Sequence, residues 1–383
     1  MQSHSHTIPA LNNRLVLFFG LFAFGWSLSV QAQNDSAKEQ MTYQHAIPFV
    51  PEQYLCYRTA TPIQIDGKLT DAAWSLAPWT NDFVDIEGDL KPKPEHRTRV
   101  KMLWDDEYFY FAAMLEEPHL WATLHQRDTI IFYDDDFEIF IDPDGDGHTY
   151  AEFEMNANNT VWDMLMLRPY HIGRSPNTIF NWNNLDLHTA VHLEGTLNKS
   201  TDTDQYWTVE IAFPWSALKE LVPKKALPAS GDQWRVNFSR VDWHVDILNG
   251  RYVKKKAPGT DRNLPPENWV WSPTGRVDMH RPETWGFVQF SENTVDHQAD
   301  QFIPNSEEDI KWALWQLFYQ QQAFYKKYGS YTADISHFTL PPLADQPFTP
   351  QFYASPNTFE ILTASSNGGT WHIDHTGRIW KKS

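Results

Sequence analysis

The chain has little cysteine, little positive charge and a single long apolar run. Cys56 is the only cysteine among 383 residues, so no disulfide can form within the chain and the fold depends on packing. Lysine and arginine number 31 against 49 aspartates and glutamates, which gives a formal net charge of −18. This balance argues against binding to nucleic-acid phosphates. No CxxCH motif is present, so covalently attached haem of the c type is excluded.

Aromatic residues are abundant by contrast. The chain holds 18 Trp, 15 Tyr and 24 Phe, which together make 15% of its residues. Such rings can stack on the flat faces of ligands, or they can fill the space beneath β-sheets. Composition alone leaves both uses open.

The long apolar run lies near the N-terminus. Residues 15–30 are almost entirely apolar, follow Arg14 and lead to a small-residue pattern ending at Ala32. The run is short for a membrane-spanning helix, which needs about 20 residues. It predicts a signal peptide over residues 1–32 and export, with no membrane association beyond that peptide. A retained N-terminal anchor is the alternative, since the segment before the run is only weakly basic.

Short strand patterns separated by Pro, Gly, Asp and Asn turns fill residues 54–291. In one of these patterns Trp207, Val209 and Ile211 alternate with polar residues, as in a strand with one buried face. Helical periodicity is nearly absent from this region. The pattern predicts a mainly β fold, an antiparallel β-sandwich of the jelly-roll or immunoglobulin-like type.

The segments on either side of the predicted sandwich lack its regular strand pattern. Residues 33–53 are polar and aperiodic, which predicts a tether, and residues 292–305 read as a linker. Residues 306–383 predict a C-terminal unit made of one helix and a small β-hairpin. Ser306 with Asp309 suggests a capping box at the start of the helix, and a glycine at position 329 suits its end.

Four ordered blocks of the sequence resemble one family. They are residues 61–74, 99–110, 135–142 and 285–290. Together they resemble family 9 carbohydrate-binding modules of the DOMON-like β-sandwich superfamily. The resemblance implies a β-sandwich, glycan binding without catalysis, export, and calcium ions bound in the scaffold.

The resemblance also implies a binding site. Modules of this family are expected to hold a terminal sugar between two Trp rings. Here Phe132 or Tyr133 stands at the first ring position, and the second falls near Met279, with Trp271 and Trp285 close in sequence. The family carboxylate that hydrogen-bonds sugar hydroxyls corresponds to Glu138. A family arginine on the neighbouring strand is replaced by Glu154, which exchanges a donor for an acceptor.

Residue type and spacing, considered apart from the resemblance, give further candidates for ligand contact. Asn156 alternates with Glu154 on one strand face, and Trp162 follows shortly after, a mixture of amide, carboxylate and indole common in sugar sites. Packing in the core is the alternative for Trp162. Trp269 and Trp271 would point the same way on an extended strand and so could form a stacking platform.

An acidic turn follows the central strand. Asp142, Asp144 and Asp146 occupy alternate positions, as at the start of a calcium-binding loop. A solvated hairpin turn is the alternative interpretation. We expect structural Ca²⁺ as the one candidate cofactor, with no organic cofactor.

Three functions are compatible with these features. The first is an exported, monomeric protein that captures poly- or oligosaccharide during polysaccharide breakdown, with a glycan as its partner and without catalysis. The second is a redox protein that holds haem non-covalently, with Met155, Met279 or His280 as axial ligands. The third is a glycoside hydrolase acting on O-glycosyl bonds, with Glu152 or Glu154 paired with Asp163.

Overall fold

The structure, a computed structural model, describes residues 40–172, 177–184, 186–222, 227–344 and 347–383. The predicted signal peptide and the first seven residues of the predicted tether lie outside the described residues. Within the part that is described, no helix has the length and apolar character needed to cross a membrane.

Most of the chain is built from short strands. Those of the N-terminal part are β1 Gln53–Arg58, β2 Val84–Asp85, β3 Thr98–Trp104, β4 Tyr108–Glu116, β5 Asp136–Asp142, β6 Tyr150–Asn156, β7 Val161–Met166, β8 Thr178–Ile179, β9 His188–Glu194, β10 Tyr206–Pro214, β11 Gln233–Asp242, β12 Val245–Leu248, β13 Arg251–Lys254, β14 Glu267–Val270 and β15 Gly286–Thr294. Two short helices accompany them, α1 Ala72–Leu76 and α2 Trp215–Leu218.

The strands follow one continuous pairing path, β8-β7-β6-β5-β11-β15-β1-β3-β4-β10-β9, while β12 and β13 form a separate hairpin. The path folds over itself, because one core contains side chains from β5 and β6 together with side chains from β3, β4 and β10. The predicted β-sandwich is therefore confirmed. One strand departs from the antiparallel expectation, since β1 runs parallel to both β3 and β15. A long crossover separates β1 from β3 in the chain, which parallel pairing requires.

Strand alternation explains where the core lies. On β10, Trp207, Val209 and Ile211 are buried between the two layers, as their spacing predicts. On β5 and β6, Phe137 and Phe153 also point into this core. The residues that alternate with Phe137 along β5 and with Phe153 along β6 therefore point to the opposite face of the β5–β6 layer. That face carries the candidate site.

A buried carboxylate fixes the turn that begins the sandwich motif. Glu210 on β10 accepts hydrogen bonds from the backbone N–H of Asp66 (2.8 Å) and Gly67 (2.6 Å) and from Trp74 Nε1 (2.8 Å). Gly67 has φ of +86°, and a Cβ there would lie 2.6 Å from the backbone carbonyl carbon of Val191. The turn therefore requires glycine for both its backbone conformation and its close approach to β9.

The C-terminal part is one helix against a small sheet. Helix α3 runs Glu307–Tyr328 and packs on the antiparallel strands β16 Gln351–Ala354, β17 Phe359–Ala364, β18 Thr370–Asp374 and β19 Ile379–Lys382. The predicted hairpin corresponds to β18 and β19. The helix ends as predicted, with Gly329 in the left-handed conformation. The predicted capping box is wrong: the Ser306 side chain makes no cap bond, and Asn305 Oδ1 accepts from the Glu307 N–H instead (3.1 Å).

The described part of the predicted tether lies against α3. Tyr43 stacks on Tyr319 with ring centroids 4.6 Å apart, and Phe49 stacks on Trp312 at 3.9 Å. The Met41 side chain is buried in the same apolar cluster as the inner face of α3. Polar residues between these anchors hide the pattern, which is why the sequence reads as a tether.

Candidate functional site

A row of polar and aromatic side chains crosses the outer face of the sandwich layer. In the strand register Glu138 on β5 lies opposite Glu154 on β6, and Glu154 lies opposite Trp162 on β7. The next row places Phe140 opposite Glu152 in the same way. Because side chains opposite each other in a sheet stand about 5 Å apart, these rows bring three carboxyl groups together between aromatic rings.

The three carboxyl groups form an acidic floor. Glu138, Glu152 and Glu154 are all buried, and Asp136 lies buried beside them on β5. Burial raises the pKa of Glu138 to about 7, partly opposed by a hydrogen bond from Ser239. Burial, together with the nearby Glu138 carboxylate, holds the pKa of Glu152 and Glu154 well above the usual range. One oxygen from each of Asp136, Glu138 and Glu154 lies within 4.8 Å of the other two.

A short turn before β5 carries two exposed rings above this floor. Phe132 and Tyr133 are 38% and 52% exposed, although large aromatic side chains are usually buried. The turn is held from both sides: the Phe132 N–H donates to Glu154 Oε2 (3.2 Å), and Trp243 Nε1 donates to the Phe132 carbonyl (2.9 Å). Lys254 lies over the Trp243 ring, with its Nζ 3.4 Å from the ring centroid.

The opposite wall is formed by His280 and the residues packed around it. The His280 Nδ1 is 2.8 Å from the Tyr150 hydroxyl, and its Nε2 is 3.8 Å from Glu152 Oε1. The Tyr170 ring meets the His280 ring edge-on at 4.3 Å. Burial lowers the pKa of His280 to about 4, so the imidazole is neutral at pH 7.

These groups enclose a cavity of about 520 Å³. Further walls come from two consecutive prolines at 265 and 266 and from apolar side chains near residue 277. A volume of this size suits a small organic ligand, and predominantly apolar walls with a few polar groups are typical of such sites.

Six of the predicted ligand contacts line this cavity. They are Phe132, Tyr133, Glu138, Glu154, Trp162 and Met279. The resemblance and the strand alternation together located them, because both depend on the order of residues along β5, β6 and β7.

The other four predicted contacts lie elsewhere. Trp269 and Trp271 share a direction, as expected, but both rings are buried in the core and form no exposed platform. Trp285 is fully buried behind the cavity, with its Nε1 donating to the Met279 carbonyl (2.8 Å). Asn156 is fully buried, and its Nδ2 donates to the Leu124 carbonyl (3.0 Å). Its Oδ1 accepts from the N–H groups of Asn158 and Thr160 (both 3.1 Å), so its amide closes the β6–β7 turn.

Several lining residues were not among the predicted contacts. Glu152 was named only as a candidate acid of the glycoside hydrolase alternative, and His280 only as a haem ligand. Trp243 reaches the cavity from the loop after β11, and Tyr170 reaches it from the loop after β7. Alternation along one strand could have added Glu152, whereas no local pattern brings the two loop rings to the site.

A second cavity, of about 540 Å³, lies beside Trp269 and contains His96 and Glu267 in its lining. The buried Arg240 guanidinium lies over the Trp269 ring, 5.1 Å from the ring centroid. Arg240 is itself paired with Glu117 at 2.6 Å. The Trp269 ring is therefore occupied by the protein's own cation, whereas the Phe132 and Tyr133 rings of the first cavity are exposed, so the first cavity is the stronger candidate.

The acidic turn brings its three carboxylates together. One oxygen each of Asp142, Asp144 and Asp146 lies within 4.8 Å of the others, and carboxylate oxygens are suitable calcium ligands. However, Asp146 Oδ2 already accepts from Arg378 Nε (2.9 Å), and both Asp142 oxygens accept from glycine N–H groups. The donor set fits calcium, and the protein's own cation partly compensates it. Calcium at this turn stays a prediction.

Comparisons with known proteins agree with the sequence motifs. Residues 65–232 match the family model described as "Carbohydrate family 9 binding domain-like". No curated protein matches the chain significantly.

Three solved structures are similar to this chain. A proposed carbohydrate-binding protein from Bacteroides uniformis is 14% identical, with a TM-score of 0.46, over 63% of this chain and 100% of that one. A family 9 module from Caldicellulosiruptor kristjanssonii in complex with cellotriose is 16% identical, with a TM-score of 0.39, over 66% and 100%. The same organism's module with glucose is 17% identical, with a TM-score of 0.38, over 65% and 100%. The family match includes most of the first sequence block and all of blocks 99–110 and 135–142, whereas block 285–290 lies beyond it.

Proposed function

We propose that this chain is a carbohydrate-binding protein, and that the cavity above Glu138 and Glu154 is its binding site. The observation that carries the proposal is the exposed pair Phe132 and Tyr133, fixed above a polar floor in a chain with a family 9 match. Sugars present C–H faces that stack on aromatic rings and hydroxyls that bond to carboxyl groups, and both kinds of partner meet here.

The finer proposal is capture of poly- or oligosaccharide by an exported protein that does not itself cleave it. Export rests on the N-terminal apolar run and its small-residue end near Ala32. The single cysteine is compatible with an oxidising compartment, because Cys56 is buried in the core. A role in polysaccharide breakdown is part of the proposal, as one use that an exported protein can make of glycan binding.

The glycoside hydrolase alternative requires two acids on the same face of the sheet, and its predicted pair does not meet this requirement. Asp163 lies opposite Phe153 in the register, so its side chain points away from Glu152 and Glu154. It is fully buried and paired with Arg127, and Asn184 donates to its other oxygen. A catalytic pair built on Asp163 would therefore span two faces of one sheet.

The haem alternative meets a similar obstacle. Met155 lies in the core between the layers, whereas Met279 and His280 line the cavity on the other face. These side chains cannot flank one haem together. The absorption spectrum of the purified protein tests this alternative, because a Soret band would contradict the carbohydrate proposal.

A glycan array tests the proposed function directly. The wild-type chain should bind a defined set of glycans, and Tyr133→Ala should weaken that binding by roughly tenfold or more, the loss typical of a stacked ring. Tyr353→Ala is the matched control, because Tyr353 is 55% exposed on the C-terminal sheet. No glycan bound by the wild-type chain, or equal loss in both variants, would contradict the proposal.

A further inference from the structure

The cavity has an unusual charge for a sugar site. Glu138, Glu152 and Glu154 all line it, and no lysine or arginine is among the described residues of the lining. His280 faces Glu152 at 3.8 Å but is deeply enclosed, with its Nδ1 engaged by the Tyr150 hydroxyl. Like charges buried together repel each other and lack the hydration they would have in water.

Two of the buried oxygens have no partner. Glu152 Oε2 and Asp136 Oδ2 are both shielded from solvent and accept no hydrogen bond. Glu152 is one of the residues lining the cavity, and Asp136 stands within the cluster of converging oxygens. A buried acceptor left without a donor is destabilising, so a ligand that supplies donors here relieves that cost.

The spacing of the oxygens suits one small group with several donors. Asp136, Glu138 and Glu154 each place an oxygen within 4.8 Å of the others, so a single atom between them can contact all three. An ammonium group carries three N–H donors and a full positive charge, whereas a hydroxyl carries one donor. Carboxylates therefore prefer an ammonium at this position.

The walls favour an organic cation over a bare metal ion. The cavity is far larger than an ion, and aromatic side chains surround its floor: Phe132, Tyr133, Trp162, Tyr170 and Trp243. Ring faces attract organic cations as well as stacking on sugar rings. Two of these rings already contact a cation outside the lining, since Lys254 Nζ lies 3.4 Å from the Trp243 centroid and 5.5 Å from that of Tyr133.

We propose that this cavity selects glycans that carry a protonated amine, such as 2-amino-2-deoxyhexose units and their oligomers. The inference rests on the proposed function and names its ligand class. The amine binds among the carboxyl groups while the sugar ring packs on the aromatic walls. N-acetylation removes the charge, and a uronic acid adds a charge of the wrong sign, so the site discriminates against both.

The test is calorimetric titration with three β-1,4-linked tetramers, of glucosamine, N-acetylglucosamine and glucose, at pH 6 with a chelator present. The glucosamine tetramer should bind at least about tenfold more tightly than the other two. Glu154→Gln keeps the shape of the floor and removes one carboxyl group that can ionise beside a bound ammonium, and it should reduce that preference by about tenfold or more. Glu107→Gln, which removes an exposed charge in the β3–β4 turn, should leave the preference unchanged.

Each other outcome overturns the inference in a recognisable way. Equal or tighter binding of the neutral tetramers contradicts the amine preference and leaves the proposed function intact. Binding of no glycan contradicts both proposals. If spermine binds as tightly as the glucosamine tetramer, and if Glu107→Gln and Glu154→Gln reduce affinity equally, the binding reflects general attraction of cations to an acidic protein. Amine-independent binding that appears only after calcium replaces the chelator shows a metal site instead.

Discussion

Glu138 and Glu154 lie directly opposite each other on neighbouring strands, both buried and both facing the same cavity. In most sheets a pair of like charges at this position would be destabilising. The pair therefore lowers the stability of the fold. Changes to either residue should alter the stability, its dependence on pH, and ligand binding.

Glu138→Gln should stabilise the protein at pH 8 and change little at pH 5. Burial raises the pKa of Glu138 to about 7, so the native state keeps its proton between about pH 4.5 and 7 while the unfolded state loses it. Stability from this group is present at low pH and falls as pH rises through 7, by up to about 3 kcal/mol. Glutamine does not titrate, so Glu138→Gln removes this loss of stability at high pH.

Thermal unfolding of both proteins from pH 5 to pH 8 measures the effect. The groups that share this face are Asp136, Glu152, Glu154 and His280. Because the Glu138 carboxylate raises the pKa of Asp136, Glu152 and Glu154, the variant also relieves this repulsion at pH 8, which stabilises it in the same direction. If the variant melts at a lower temperature than the wild type at pH 8, the expected sign of the effect is wrong.

Gly67→Ala should destabilise the sandwich by about 2 kcal/mol or more, because φ of +86° disfavours alanine and its Cβ would approach Val191 to 2.6 Å. Gly231→Ala is the matched control, with φ of +85° and open space around the new Cβ. It should cost only the backbone part, about 1 kcal/mol. Urea unfolding midpoints distinguish the two, and equal losses would show that the contact with β9 is unimportant.

Glu308→Gln should loosen the attachment of α3 to the sandwich. Glu308 Oε2 accepts from the buried Arg235 guanidinium at 2.9 Å, and burial of the pair makes its loss cost about 2–4 kcal/mol. Glu116→Gln removes an exposed pair with Arg97 and should cost under about 1 kcal/mol. Hydrogen exchange across α3 should rise in the first variant only, and an unchanged α3 would argue against this attachment.

Trp243→Phe should weaken glycan binding without unfolding the protein. The indole N–H bonds to the Phe132 carbonyl, so its removal frees the turn that presents Phe132 and Tyr133. Loss of one neutral hydrogen bond predicts a reduction in affinity of about fivefold. Trp380→Phe on β19 is the control, and binding that falls equally in both variants would exclude a role for this bond.

The sequence predicted the sandwich and most of the cavity because both depend on short-range order. Alternation placed Glu138 and Glu154 on one face, and the ring positions at Phe132 and Tyr133 followed from the motif before β5. The sequence pattern could not predict contacts between residues that are far apart in the chain. Trp243 reaches the cavity from the loop after β11 and Tyr170 from the loop after β7. The Trp271 ring packs so close to Gly286 that a Cβ there would lie 2.5 Å from it, a contact that only the folded chain shows.

The local errors share the same cause. Ser306 has the right residue type for a helix cap, yet Asn305 supplies the bond. The segment containing Met41 and Tyr43 looks like a tether because its apolar partners lie on α3, almost three hundred residues away. Residue type and spacing determine which structures are possible, whereas tertiary partners decide between them.

The most direct test of the binding site is a crystal structure of the chain with its tightest glycan from the array. We predict a sugar ring against Tyr133, with ligand donors within hydrogen-bond distance of the carboxyl groups of Glu138 and Glu154. A glycan bound instead in the second cavity beside Trp269, with the first cavity holding only solvent, would contradict the central claim.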